Sequence, residues 1–335
     1  MRFVGFIGFF VLIFIAVLLS KNRKAINKRT LLWGICLQWI LAILVLGIPM
    51  LNIPGPLQPL FGVANDVFVA LMGFTNKGSE FVFGSWMSME KNGFIFAVQV
   101  LPTIIFFSAL IAVGYYVGIM QKIITFLGKI MLKTMGTSGA ESLAAAANIF
   151  VGQTEAPLII RPYIARLTKS ELFAVMVPGM ASVAGGVLAA YVGLLRDTLP
   201  SIAGHLLTAS VLSAPAALLV SKLLYPETEN SETRDRLPSA DVAIDSNVLE
   251  AVSRGISEGV QLAINVAAML IGFIALVAMV NALLGHVGGW IGFSSWGADM
   301  VPAVPVQAGP APALSLELLL GWIFAPLAWI LAVSC

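Results

Sequence analysis

The fold is decided by the stretch Asn148-Ile-Phe-Val-Gly-Gln-Thr-Glu155, which follows Leu143-Ala-Ala-Ala-Ala147 and precedes Ala156-Pro-Leu-Ile-Ile160. It brings an asparagine, a glutamine, a threonine and a carboxylate into eight residues, between apolar and small residues on both sides. Polar groups in apolar surroundings cost free energy unless they have partners. We therefore interpret this stretch as a binding segment that the rest of the chain holds in place.

The composition around this stretch predicts an all-α polytopic membrane protein. Hydrophobic residues make up 59% of the 335 residues, charged residues 11%, and the mean hydropathy is +0.95. A soluble globular chain carries about 25% charged residues. Several apolar runs approach or exceed the ~20 residues that a helix needs to cross a bilayer.

Basic residues flank the polar stretch on both sides: Lys122, Lys129 and Lys133 before it, Arg161, Arg166 and Lys169 after it. Lysine and arginine concentrate on the cytoplasmic side of membrane proteins. The segment between these flanks is too short to cross the bilayer twice, so we predict a re-entrant helical hairpin over residues 137–166. Its tip, residues 152–156, would lie near mid-membrane, where non-helical backbone is tolerated only against protein or a water-filled cavity.

Upstream of the hairpin, the basic cluster in residues 21–29 places the N-terminus outside. No small-residue cleavage site follows the first apolar run, which argues against a signal peptide. The elements expected here are spans at 3–19, 31–48 and 94–119, an interfacial helix at 60–75, turns at 76–79 and 90–93, and an amphipathic helix along 123–132.

Downstream, Pro178-Gly179 and Ser182-Val-Ala-Gly-Gly186 predict that the span 171–194 is broken at mid-depth. The remaining expected elements are a span at 202–224, a charged cytoplasmic loop at 225–250, a long span at 256–284, an irregular external loop at 285–313, and a final apolar helix at 314–333 broken by Pro326.

Broken helices leave free backbone amides and carbonyls inside the membrane, where they can hold a solute or a cation. Gln153, Thr154 and Glu155 offer amide, hydroxyl and carboxylate groups, which suit a small polyhydroxylated or amide-bearing solute. An intramembrane carboxylate is costly and therefore a functional hypothesis. The alternative is that Glu155 sits at a cytoplasmic helix end and pairs with Arg161.

A second set of polar positions has two interpretations. Asn148, Val151 and Ser182 could form a sodium site from an amide oxygen, a hydroxyl and backbone carbonyls, but their spacing alone favours helix-packing hydrogen bonds. Glu141 reads as a helix N-terminal charge rather than a ligand. Glu258, Gln261 and Asn265 share a helix face, which favours interhelical hydrogen bonds over a solute path.

No enzymatic constellation is present in the sequence. Cys36 and Cys335 are far apart, as are His205 and His286, so a disulfide framework, a metal site or a catalytic triad has no basis. Glycine-rich phosphate loops and paired catalytic carboxylates are also missing. We expect neither enzymatic activity nor a cofactor.

Several motifs resemble the concentrative nucleoside transporter family, and more closely its bacterial sodium-coupled members. They are Gly136-Thr-Ser-Gly-Ala-Glu-Ser142, Ala147-Asn-Ile-Phe-Val-Gly-Gln-Thr-Glu-Ala-Pro-Leu158, Lys169-Ser-Glu-Leu-Phe-Ala-Val175, Ala181-Ser-Val-Ala-Gly-Gly-Val-Leu-Ala189, Asn22-Arg-Lys-Ala-Ile-Asn27 and Leu319-Leu-Gly-Trp-Ile-Phe-Ala-Pro-Leu327.

The resemblance implies an inverted-repeat transporter that forms homotrimers and moves a transport domain against a scaffold, like an elevator. It implies that nucleoside contacts Gln153, Thr154, Glu155 and Val187, and that sodium contacts Asn148, Val151, Ser182 and Val183. Because Asn148 and Ser182 are in place, sodium is favoured over a proton as the coupling ion.

The resemblance also divides the chain. It implies scaffold helices in 1–135, half of a transport domain in 136–224, a cytoplasmic loop in 225–250, and in 251–335 a scaffold span, an external loop and the start of a second repeat. The family places a second hairpin and a second broken span after the helix at 314–333, and the sequence ends at Cys335 before them. We therefore expect a C-terminally truncated chain with an incomplete second repeat.

The function expected from these residues is sodium-coupled symport of nucleosides, with pyrimidine nucleosides such as uridine favoured, across a bacterial inner membrane. The partners are nucleosides, sodium ions and the lipid bilayer, without nucleic acid. The alternatives are proton-coupled transport with Glu155 as the proton carrier, and a non-transporting truncated paralogue. An intramembrane enzyme would need a nucleophile and a base that the sequence does not pair.

Overall fold

The computed structural model describes residues 2–47, 53–153, 155–195, 198–234, 236–238, 245–293 and 314–331. No β-strand occurs in these ranges. The α-helices are α1 (Arg2–Leu18), α2 (Lys28–Leu46), α3 (Gln58–Phe83), α4 (Met89–Asn92), α5 (Phe96–Gln99), α6 (Leu101–Tyr116), α7 (Ile119–Met135), α8 (Gly139–Ala147), α9 (Ala156–Ile159), α10 (Lys169–Ala181), α11 (Gly185–Leu195), α12 (Ile202–Leu224), α13 (Val248–Trp290) and α14 (Leu316–Ile330).

Among the described residues, five helical stretches are long and apolar enough to cross a bilayer, which confirms the predicted all-α membrane architecture. They are Lys28–Leu46, Phe96–Tyr116, Lys169–Leu195, Ile202–Leu224 and Val248–Trp290. Two shorter apolar helices, Gly5–Leu18 and Leu316–Ile330, lie near the ends of the chain.

The chain forms two compact units, one of Val17–Ile264 and one of Met1–Ala16 with Asn265–Cys335. In the larger unit α12 is central, since it packs against α2, α3, α8 and α10. Beside it, α11 packs against α6 around an apolar cluster that includes Met72, Phe107, Leu188 and Val192. The ring of Phe68 stacks on Phe107 with 4.5 Å between centroids.

In the smaller unit, Asn281 on α13 anchors the start of α14. Its Nδ2 donates to both carboxylate oxygens of Glu317, at 3.1 and 3.0 Å, and its Oδ1 accepts from the Leu316 amide at 2.8 Å. Ser315 accepts from the Leu318 amide at 3.2 Å as the N-cap residue. These bonds supply partners for amides that the first turn of a helix leaves free.

The amphipathic helix expected along residues 123–132 is α7. Its buried residues, Ile124, Gly128, Met131 and Met135, fall on one face at helical spacing. Lys122, Lys129 and Lys133 are exposed. The sequence pattern was sufficient here because helix periodicity alone fixes the two faces.

Several predicted boundaries are wrong. The interfacial helix expected at 60–75, with a turn at 76–79, is instead one helix that runs to Phe83. Ser79 donates to the Thr75 carbonyl at 3.0 Å inside this helix, and Gly84, at φ 54°, follows its end. The polar residues at 76–79 are therefore tolerated inside a helix, and the left-handed glycine marks its end.

The long span expected at 256–284 begins earlier and ends later, as α13. Asn247 Oδ1 accepts from the Glu250 amide at 2.9 Å, which caps the helix well before the predicted start. The helix continues to Trp290, so the first residues of the external loop expected at 285–313 are helical. Residues 294–313 lie outside the described residues. In α14, Pro326 lies inside the helix and does not break it, contrary to the prediction.

Candidate functional site

The segment predicted as a hairpin consists of α8, a non-helical tip, the single turn α9 and a 3₁₀ helix at Arg161–Arg166. Every residue of α8 is buried, and α7, α10 and α12 pack against it. Its run of four alanines allows this close packing, because small side chains let helices approach one another in membranes.

Helices α8 and α10 begin with the same device, a capping box. Glu141 accepts from the Ser138 amide at 2.7 Å, and Glu171 accepts from the Thr168 amide at 2.8 Å. Each carboxylate thus satisfies a backbone amide at the start of its helix. Glu141 is therefore a helix N-terminal charge, as predicted.

The segment after α12 crosses the starts of both helices. The Thr233 carbonyl accepts from the Gly139 amide at 2.7 Å, and its hydroxyl accepts from the Ala140 amide at 3.2 Å. Ser231 donates to the Glu171 carboxylate. Lys222, at the end of α12, lies 2.7 Å from the buried Glu141 carboxylate. These contacts join the start of α8, the start of α10 and the end of α12.

The hairpin tip begins at Asn148, which follows the last residue of α8 and is 1% exposed. Its Nδ2 donates to the Ala144 carbonyl at 3.2 Å. Its Oδ1 is buried and has no hydrogen-bond partner among the described residues. A buried acceptor left without a donor costs roughly 1–3 kcal/mol. The amide oxygen of Asn148 thus has free coordinating capacity.

The broken span meets the tip at this point. Helix α10 ends at Ala181 and α11 begins at Gly185. The Ser182 hydroxyl lies 3.0 Å from the Asn148 carbonyl and 2.9 Å from the Pro178 carbonyl. The Gly185 amide donates to the Phe150 carbonyl at 3.0 Å. Sequence-distant segments that were singled out separately are therefore joined by two hydrogen bonds.

Two glycines permit this close approach. A Cβ on Gly179 would lie 2.6 Å from Gln153 Cβ, and a Cβ on Gly185 would lie 2.6 Å from the Phe150 carbonyl oxygen. Contacts this short would force one of the two segments to move. The Gln153 side chain itself is exposed, which leaves its amide free to meet a solute.

The remaining residues that the resemblance implies are distributed over the same region. Val151 is buried in the tip, while Val183 is half-buried and packs against the apolar cluster beside α11. Val187 is half-buried in the first turn of α11. Thr154 lies outside the described residues.

Glu155 opens onto a cavity of about 100 Å³ between the tip, α6, α11 and α13. Its walls include Phe150 and Gly152 from the tip, Ser108 and Tyr115 from α6, and Arg254, Glu258 and Leu262 from α13. The ion pairs of the described residues include none between Glu155 and Arg161, and Arg161 is exposed. The structure therefore supports the interpretation of Glu155 as a cavity residue over that of a paired helix end.

Arg254 forms several hydrogen bonds with carboxylates beside this cavity. Its guanidinium donates to both oxygens of Asp245, each at 2.9 Å, and to Glu258 at 2.9 Å. These hydrogen bonds lower the pKa of the Asp245 carboxyl, because they favour its ionised form. Glu258 thus lines the cavity, whereas Gln261 and Asn265 do not line it.

Sequence reasoning missed Tyr115 and Arg254. The available signal was an arginine and a glutamate four residues apart near the start of a long apolar helix, a pair that can form one hydrogen-bonded unit. Nothing in the sequence connected that pair, or a tyrosine at the end of another span, to the hairpin tip.

Three family profiles together match most of the chain. They are described as Na+ dependent nucleoside transporter N-terminus over residues 7–86, nucleoside recognition ("Gate") over 97–198, and Na+ dependent nucleoside transporter C-terminus over 205–335. An uncharacterized transporter of Haemophilus influenzae is 47% identical over 330 residues, which are 98% of this chain and 72% of that protein. The chain belongs to the Na+-dependent nucleoside transporter family. This confirms the family that the sequence motifs suggested, and with it a transporter rather than an enzyme.

A further relative and a solved structure support the same family. Sodium/nucleoside cotransporter 1 of Rattus norvegicus is 40% identical over 336 residues, which are 99% of this chain and 46% of that protein. The structure of CNTnw in an inward-facing substrate-bound state matches with a TM-score of 0.83 at 44% identity, covering 98% of this chain and 72% of that one. The chain spans less than half the length of its rat relative.

Proposed function

We propose that this chain acts in sodium-coupled uptake of nucleosides, with pyrimidine nucleosides such as uridine favoured. The observation that carries the proposal is the buried Oδ1 of Asn148, which has no hydrogen-bond partner among the described residues, at the junction of the hairpin tip and the broken span. Membership of a sodium-dependent nucleoside transporter family supports sodium and nucleoside as the transported pair.

The ion would bind at this junction. Asn148 contributes its free amide oxygen, Ser182 a hydroxyl oxygen, and Val151 and Val183 their backbone carbonyls. Unwound backbone carbonyls at helix breaks coordinate sodium in secondary transporters. A bound cation would supply the positive partner that the Asn148 oxygen otherwise lacks. A proton carried by Glu155 would leave that oxygen unsatisfied, which favours sodium over the proton-coupled alternative.

The nucleoside would bind on the other side of the tip. Gln153 presents an exposed amide, Glu155 a half-buried carboxylate and Thr154 a hydroxyl, while Val187 offers an apolar surface for the flat base. Amide and carboxylate groups match the donors and acceptors on the edge of a base. The ion and the solute are thus held by neighbouring residues of one hairpin, which provides the coupling.

Transport would follow an elevator-like movement in a homotrimer. The moving part is residues 136–224, and the scaffold is formed by 1–135 and 251–335, connected by the loop 225–250. Lys222, Thr233 and Ser231 support this division, because they tie the starts of α8 and α10 to the end of α12. We place the protein in the bacterial inner membrane, with the N-terminus outside as its basic cluster indicates.

Uptake of labelled uridine by cells expressing the chain tests this proposal. We expect Asn148→Ala and Glu155→Gln each to reduce uptake at least tenfold, because each removes a proposed contact to ion or solute. Asn65→Ala, which changes an asparagine on α3 that does not line the cavity, serves as the matched control and should retain uptake. Equal uptake by wild type, Asn148→Ala and Glu155→Gln would refute the site assignment.

A further inference from the structure

Tyr115, the penultimate residue of α6, has a buried hydroxyl without a hydrogen-bond partner among the described residues. A buried hydroxyl is normally paired, and each one that is not requires an explanation. The side chain lines the cavity onto which Glu155 opens. Glu155 lines the same cavity. The free donor and the carboxylate that the proposed function assigns to the solute therefore belong to residues of one cavity wall.

The other charged groups in the same cavity wall, Arg254 and Glu258, are already hydrogen-bonded. Arg254 donates to Asp245 and to Glu258, with all three distances at 2.9 Å. Asp245 and Glu258 are thus both hydrogen-bonded to Arg254 near the start of α13. This leaves the Tyr115 hydroxyl with hydrogen-bonding capacity that the charged residues of the wall do not use.

The size of the cavity limits what it can take. Pockets that hold a whole small molecule have volumes of about 300–1,000 Å³. At about 100 Å³ this cavity admits only one edge of a solute that is held at the tip. The wall contains a carboxylate, which accepts a hydrogen bond, and a phenol, which can donate one. The edge that fits has an N–H beside a C=O, which is the imide edge of a uracil base.

We propose that the Tyr115 hydroxyl donates a hydrogen bond to a carbonyl oxygen of the nucleoside base while Glu155 accepts from the adjacent N–H. This inference rests on the proposed function and adds a residue of α6 to the solute site. It makes Tyr115 a specificity-determining residue that selects bases with a carbonyl acceptor at that position.

Binding of nucleosides to the purified full chain in sodium buffer, measured by calorimetry, tests the proposal. Tyr115→Phe removes only the hydroxyl, and we expect it to weaken uridine binding about three- to tenfold, the range for one net hydrogen bond. Tyr116→Phe is the matched control, because the neighbouring tyrosine does not line the cavity. It should bind uridine like the wild type.

Thio-substituted uridines identify the contacted oxygen, since sulfur is a weak acceptor and the N–H is kept. For one of the two analogues, 2-thiouridine or 4-thiouridine, wild type and Tyr115→Phe should bind equally. For 2′-deoxyuridine, Tyr115→Phe should show the same loss of binding as for uridine. Wild-type binding of uridine with no loss in Tyr115→Phe would overturn this inference alone. The same loss for all analogues would overturn it too. Failure of wild type to bind uridine would overturn both this inference and the proposed function.

Discussion

Single atoms define what the tip can do. Asn148 donates from its amide nitrogen to the Ala144 carbonyl, and its buried amide oxygen has no partner in the part of the chain that the structure describes. The Ser182 hydroxyl donates to the Asn148 carbonyl, so Asn148 also joins the hairpin to the broken span. A residue that fixes the junction and also offers an unused acceptor there is suited to sense an ion in the junction.

Gly179 sets the position of Gln153. In Gly179→Ala the added Cβ would lie 2.6 Å from Gln153 Cβ, so the tip must shift. Overpacking of this kind costs about 1–3 kcal/mol. We expect the KM for uridine to rise about tenfold in an uptake assay.

Gly73→Ala is the matched control for that change, because a Cβ at Gly73 on α3 meets no atom within 4 Å. Alanine there should leave KM unchanged and stabilise the helix by about 0.5–1 kcal/mol. An unaltered KM in Gly179→Ala would mean that the position of Gln153 does not matter for the solute.

At the scale of elements, the structure joins two helix starts through one loop. The capping boxes at Ser138 and Thr168 organise each start separately. Thr233 adds acceptors for two further amides of α8, and Glu232 pairs with Arg166 at 3.2 Å. The exposed Arg166 pair contributes little. The buried contacts determine how firmly the hairpin and the broken span stay together.

Lys222 is a buried cation at the end of α12, beside the start of α8. Lys222→Met removes the partner of the Glu141 carboxylate, which is 1% exposed, and breaking a buried pair from one side costs about 3–5 kcal/mol. We expect a clear fall in the thermal unfolding temperature of the purified protein. Lys129→Met, on the exposed face of α7, should leave that temperature unchanged.

The double variant Glu141→Gln with Lys222→Met distinguishes charge from packing. It removes the stranded carboxylate, so it should recover more than half of the lost stability. If the double variant were as unstable as Lys222→Met, the loss would come from packing of the lysine stem rather than from an unpaired charge.

The elements near the tip could be predicted from sequence to a large extent. The glycines and serine after Pro178 indicated the break that the structure shows at residues 182–184, while the re-entrant hairpin over residues 137–166 stays a prediction. Local signals were sufficient because helix ends are determined by nearby caps and glycines. The turn predicted at 76–79 is wrong, because local signals were not sufficient there. Polar residues there remain helical, which local propensity does not reveal.

The cavity wall could not be predicted from the sequence. Tyr115, Glu155 and Arg254 come from three elements far apart in the chain, and only the packing of those elements brings them to one cavity. The pairing of Glu141 with Lys222 is of the same kind. Periodicity and charge identify which residues are unusual in a membrane, but not which of them meet.

For the whole molecule, the two compact units divide α13 near Asn265. Every contact that builds the proposed ion and solute site lies in Val17–Ile264. The smaller unit contains the Asn281 network that starts α14. The part of the larger unit that the structure describes thus contains the junction of hairpin tip and broken span.

The central claim is that sodium bound at the Asn148 junction drives nucleoside uptake. The most direct test is labelled uridine uptake as a function of sodium concentration, for wild type and Asn148→Ala, at neutral and at low pH. We predict saturable sodium dependence in wild type, a sodium requirement shifted at least tenfold higher in Asn148→Ala, and no rescue by low pH without sodium. Full uptake in sodium-free buffer at low pH would contradict the claim.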